Sequence, residues 1–248
     1  LGQTQLVDVL EKEDWELMSL FHNKLVEYLK IYYFVGGMPG VVMEYLETKD
    51  FNRVRVLQQE ILNAYDNDFS KHAPNKEVPR LRMVWRSLLA QLAKENKKFI
   101  YGMLKEGARA KEFEMALEWL QDAGLLYKVN RTKAGKMPLS AYEDFSAFKL
   151  FILDVGLLAA MGKLTSQIIL DGDAIFEEFK GALTEQYVFQ QLKTYEDIDI
   201  YYWSADNSSG EIDFIVQKEG VITPIEVKST ENLQSKSLHS RNLRGRHR

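Results

Sequence analysis

Apolar residues recur at helical spacing near the start of the chain. Trp15, Leu17, Met18, Phe21, Leu25, Tyr28 and Leu29 fall on one stripe, which predicts a single amphipathic helix over residues 13–30. The pattern stops at Gly36-Gly37-Met38-Pro39-Gly40, a turn able to reverse the chain or let two backbones approach closely. Further helices are predicted from Val41 and over residues 51–69, before Pro74 and Pro79 bracket a polar connection. After it come helical patterns at 81–92 and 110–123, with a short extended piece at 99–103 between them. Strand-like runs follow at 125–129 and 148–153, then a helix at 174–192. Three further strand-like runs lie at 198–203, 211–217 and 221–227. Lys218-Glu219-Gly220 predicts a tight antiparallel connection between the last two.

This order gives an α+β fold in three parts. Residues 1–73 form a helical segment and residues 74–165 a middle with the helix, helix, strand, basic loop, strand order of a winged helix. Residues 166–238 form an α/β unit, and 239–248 a flexible basic tail. In the second helix of the middle part, Phe113, Ala116, Leu117 and Leu120 form the core stripe. Lys111, Met115, Glu118 and Asp122 are left outward, with Glu114 at the margin, and so acidic a face is ill suited to a DNA major groove.

Composition narrows the chemistry. With no cysteine in 248 residues, disulfides and thiolate metal sites are excluded, and a reducing cytoplasm is the expected setting. Four scattered histidines make an imidazole-rich centre a poor expectation, so any metal should be a hard, oxygen-bound ion. No apolar stretch is long enough to span a bilayer, and no membrane partner is expected. A net charge of -4 argues against a general nucleic-acid coat, which leaves local basic patches at Arg80, Arg82 and Arg86, at Arg131, Lys133 and Lys136, and in the tail.

The candidate chemistry lies in the last third. On an ideal strand Glu211, Asp213 and Ile215 share one face and Ile212, Phe214 and Val216 the other; in the next strand Glu226 and Lys228 share a face. Helical projection sets Glu185 among Ala182, Val188, Phe189 and Leu192, on the side that must pack against the sheet. A carboxylate there is costly to bury without a cation or a donor. Glu178, on the same stripe, and Glu211 are rival acids. Phosphodiester hydrolysis by a carboxylate-held Mg2+ or Mn2+ ion, with an ammonium near the attacking water, asks for this set of groups. The competing reading is a solvated strand face with a cross-strand ion pair.

Asp213 followed by Glu226-Val227-Lys228 across a hairpin, with Glu185 on an upstream helix, resembles the PD-(D/E)xK restriction-endonuclease-like superfamily, although Ile212 stands where that motif has proline. The resemblance implies that Asp213 and Glu226 bind metal, and that Lys228 and Glu185 are catalytic, Lys228 serving the water and Glu185 completing the acidic cluster. More of the chain resembles bacterial AAA-superfamily ATPases with a C-terminal domain of unknown function. That likeness is carried by Tyr33-Phe34-Val35-Gly36-Gly37-Met38-Pro39, Tyr65-Asp66-Asn67-Asp68, Lys97-Lys98-Phe99, Trp119-Leu120-Gln121-Asp122-Ala123-Gly124, Phe148-Lys149-Leu150 and Leu153-Asp154-Val155-Gly156-Leu157-Leu158. It implies that residues 1–73 correspond to the ATPase lid and that an N-terminal P-loop domain is the partner. Gly135-Lys136 and Gly162-Lys163 lack the rest of a P-loop, so no ATP site is expected in this chain. The two functions to be told apart are a Mg-dependent nuclease module acting on DNA and an inactive nuclease-like scaffold in an ATPase assembly.

Overall fold

The computed structural model describes residues 4–12, 14–94, 98–172, 177–205 and 210–229, and the side chains of all of these except 4–6, 171–172 and 177–178. The fold is mixed α+β, with helices and one five-stranded sheet. Two compact units emerge: Leu1–Asn63 with Asp154–Glu177, and Ala64–Leu153 with Glu178–Arg248. All five strands lie in the second unit, those expected in the winged-helix-like middle together with those expected in the endonuclease-like end. The basic tail falls outside the described residues.

The first unit is helical. It holds α1 (Thr4–Glu11), α2 (Trp15–Leu20), α3 (His22–Val35), α4 (Pro39–Thr48), the start of α5 (Phe51–His72), and α8 (Val155–Met161). The single helix expected over residues 13–30 is in fact two, broken at Phe21; Asp14 caps α2 by accepting from the Leu17 amide at 3.1 Å. The glycine-rich turn closes α3 by close approach. Gly36 has φ +76°, and a Cβ there would lie 2.1 Å from Asp154 Oδ1; one on Gly156 would lie 2.6 Å from the Val35 carbonyl oxygen. Asp154 accepts from the Gly37 amide at 2.7 Å and caps α8 through the Leu157 amide at 2.9 Å. Buried Gln58 donates to the carbonyls of Phe34 and Val35, which α3 leaves without intrahelical partners.

In the second unit, α6 (Val78–Leu92) and α7 (Ala110–Asp122) precede β1 (Leu126–Thr132) and β2 (Glu143–Ile152). Then come α9 (Glu177–Leu192), β3 (Asp199–Ser204), β4 (Glu211–Lys218) and β5 (Val221–Ile225). The expected stripe of α7 is buried, while Lys111, Glu114, Met115, Glu118 and Asp122 are exposed. The extended piece expected at 99–103 becomes a 3-10 turn over Tyr101–Met103.

Sheet order is β2-β1-β3-β4-β5, antiparallel throughout except for β1 beside β3, which meet in parallel at Arg131 and Tyr202. The β4–β5 turn has positive φ at both Glu219 (48°) and Gly220 (78°), the backbone a two-residue type I′ hairpin requires. Among the described residues no helix is long and apolar enough to cross a membrane.

Candidate active site

Helix α9 packs on one face of the sheet through Phe189, which stacks on Phe151 of β2 with centroids 4.3 Å apart, and through Val188 and Leu192. Val129, Tyr202 and Phe214 complete that layer. On the opposite face Ile212 and Ile215 pack with Leu139 and Tyr201. Strict alternation, which would pair Phe214 with Ile212, is therefore broken in β4. The β3–β4 register shifts between Tyr201 and Trp203, a bulge that sends Phe214 to the helix side and carries Ile215 across. Glu211 and Asp213, the acids on either side of Ile212, reach towards the helix-side layer as expected, because both contact a cation there.

That cation is Lys149, at the middle of β2 and wholly buried. Its ammonium lies 3.0 Å from Glu185 Oε1, 2.5 Å from Glu211 Oε1 and 3.9 Å from Asp213 Oδ1, and 5.0 Å from the ring centre of Tyr202. Glu185, 1% exposed, thus has the partner that its place on a packing face demanded. Burial alone would lower the lysine's pKa, but Glu185, Glu211 and Asp213 outweigh it and hold the ammonium well above its ordinary value. Glu211 moves up, chiefly through loss of solvent, which the opposing pull of Lys149 does not cancel, with smaller upward contributions from Glu185 and Asp213. The Tyr202 hydroxyl, buried and without a hydrogen-bond partner among the described residues, is pushed up to about 12 chiefly by desolvation and stays neutral.

The second half of the expected site is a solvent-facing rim. The Val227 amide donates to Asp213 Oδ2 at 2.8 Å, which ties the acid of β4 to the segment after β5. On either side of that amide, Lys228 and Glu226 form an ion pair; the lysine side chain is 41% exposed and the glutamate 11%. Asp213, at 19%, belongs to both halves. Carboxylate oxygens of this kind suit a hard ion, and Mg2+ is commonly held by one or two carboxylates while keeping several waters. Among the described residues no three or more His, Cys, Asp or Glu side chains group to hold a metal.

Two residues central to this region are not among the site candidates drawn from the sequence. Lys149 is a lone cation in the wholly buried run from Ala147 to Ile152, and that isolation is the signal that could have found it, since such a lysine needs acids from elsewhere in the chain. Gln186 is fully buried beside Glu185; it accepts from the Ile152 amide at 3.0 Å and donates to the Ile152 carbonyl at 2.7 Å, clamping α9 to the sheet's edge strand. The side chain of Glu178, a rival acid, is outside the described ones. Two of the basic patches are engaged with acids: Arg131 grips Asp144 at 2.6 Å, Arg80 pairs with Glu77, and Arg82 and Arg86 pair with Asp66, whereas Lys133 and Lys136 are exposed.

Residues 26–168 match the profile of a domain of unknown function, DUF8612, and residues 180–244 match a second one, DUF4143. No curated protein and no solved structure matches the chain. Lys149 comes from the first matched segment and Glu185, Glu211 and Asp213 from the second, so the buried ion cluster joins the two inside one compact unit.

Proposed function

The chain belongs to the DUF8612 family of unknown function, and from that premise we propose that it is the C-terminal module of a cytoplasmic AAA-type ATPase whose endonuclease-like end hydrolyses phosphodiester bonds in DNA. The ATPase assignment rests on the sequence resemblance, with a P-loop domain as partner. One contact supports the hydrolase reading: the Val227 amide donates to Asp213 Oδ2, which ties Asp213 to the backbone between Glu226 and Lys228.

Asp213 and Glu226 would hold a Mg2+ or Mn2+ ion. When bound, such an ion supplies positive charge for the phosphoryl oxygen and acidifies a water. Lys228, held against Glu226, presents donors at the rim that can orient a water or a phosphate oxygen. Glu185 sits too deep to meet a substrate and acts through Lys149. Exposed Lys133 and Lys136, between β1 and β2, supply cations suited to a phosphate backbone. Purified chain is expected to cut plasmid or single-stranded DNA in Mg2+ or Mn2+, and Asp213→Ala and Glu226→Ala should each abolish cutting. Absence of cleavage of every DNA form under both metals rejects the hydrolase.

A second reading, a nuclease-like scaffold without catalysis, draws on a different observation. The deepest carboxylates are both paired with Lys149, as in a purely structural ion cluster. Pull-down of the ATPase domain separates the two functions, because a scaffold keeps its partner in Asp213→Ala and has no metal-dependent activity to lose.

A further inference from the structure

We propose that the cleft between β1 and β3 is a peptide-binding site, in which an extended segment of a partner protein adds as a strand to the inner edge of β1. The two strands are joined by one rung, Arg131 with Tyr202. The register slips beside that rung on both sides, between Asn130 and Arg131 in the β1–β2 pair and between Tyr201 and Trp203 in the β3–β4 pair. Such irregularities bend and twist the strands they touch, which accounts for two parallel neighbours parting N-terminal to the rung. Between them lies a cleft of about 340 Å3, walled by the unbroken runs 126–130 and 198–201 and by Phe189 and Lys193 of α9.

Backbone direction decides what this cleft offers. Leu153 donates its amide to the Leu125 carbonyl at 3.2 Å, while Ile152 turns both its groups the other way, to Gln186. Hydrogen-bonding direction alternates along a strand, so Tyr127 and Val129 address β2 and Leu126 and Lys128 address the cleft. With the β1–β3 ladder confined to one rung, the Leu126 and Lys128 amides have no partner strand there among the described residues. Asn130, which also lines the cleft, donates to Glu143, and its buried Oδ1 has no hydrogen-bond partner among the described residues. Backbone groups repeating every second residue along a strand match another extended main chain, which is how peptides are captured at sheet edges. Tyr127 and Phe189, with ring centres 5.5 Å apart, make the α9 side of the cleft apolar, and Asn130 belongs to the other face. The segment that fits therefore alternates apolar residues with residues that carry a donor.

Main-chain pairing is tolerant of side chains, so the probe is a capped hexapeptide of alternating valine and threonine, with a twin N-methylated at every residue as the control. Each is titrated into the full, isotope-labelled chain and amide hydrogen exchange is read residue by residue. In the free chain the Leu126 and Lys128 amides are expected to exchange about tenfold faster, or more, than those of Tyr127 and Val129, which the β1–β2 ladder protects. The unmethylated peptide should slow Leu126 and Lys128 by about tenfold or more, and the methylated twin should leave them unchanged. Leu126 and Lys128 amides as slow in the free chain as those of Tyr127 and Val129 would mean that the edge is already paired, which overturns the proposal. A peptide that leaves them fast at millimolar concentration overturns it as well, and so does equal protection by the methylated twin. No arm uses a metal, a nucleic acid or an altered chain, so failure here leaves the hydrolase reading where it stood.

Discussion

Two ion clusters in the second unit of this chain use similar groups to different ends. In the first, Arg131 and Asp144 face each other across the β1–β2 pair, with the guanidinium Nε and NH2 at 3.0 and 2.6 Å from Asp144 Oδ2, while the amide and hydroxyl of Ser146 take the other oxygen. The partners are close in sequence, and both oxygens of the carboxylate are occupied. In the second, a single ammonium meets three carboxylates drawn from α9 and β4. The Arg131 pair has the balance of a structural contact. The Lys149 cluster is acid-rich, three carboxylates to one ammonium, and it is this imbalance that the proposed function draws on.

Lys149→Met should lower stability by about 3–5 kcal/mol, the usual cost of removing one partner of a buried ion pair, read as a shift of the urea midpoint. Pairing it with Glu185→Leu should recover much of the loss, since an apolar pair can replace a buried ionic one. A single variant as stable as wild type would show that the cluster carries no such strain.

Next in size, Gln186→Leu leaves the amide and carbonyl of Ile152 without their side-chain partner and should cost about 1–3 kcal/mol, checked by thermal unfolding. Asp144→Asn is expected to cost about 1–3 kcal/mol near neutral pH, where a charge-assisted contact is lost. Its pH signature is distinctive. The Ser146 hydroxyl bond, followed by the Arg131 contact, holds Asp144 down to about 2 against an ordinary 3.8. The stability it gives is therefore present above about pH 4 and drains away as pH falls towards 2. The variant should show a flatter acid limb over that window than wild type. Smallest of all, Lys228→Ala should move stability by no more than about 0.5 kcal/mol, as for other exposed side chains, yet eliminate DNA cleavage.

Much of this architecture could be read from the chain. The α7 stripe, the β4–β5 hairpin turn and the packing face of α9 follow from periodicity and turn chemistry, because each is set by neighbours within a few residues. Phe21 was legible as apolar but not as a break, since the helical stripe runs unbroken through it while the helices do not. The β4 bulge was hidden because a strand's alternation is overridden by its pairing with β3, which the sequence of β4 does not contain. Glu185 could be flagged as an acid in need of a partner, but the partner was Lys149, 36 residues away on a different element. Such long-range pairing leaves only an indirect trace, a charged residue stranded in an apolar run.

The most direct trial of the central claim is a crystal of the full chain soaked in Mn2+ and measured for anomalous scattering. One peak is expected, bound by the carboxylates of Asp213 and Glu226. No peak at saturating Mn2+ would contradict it.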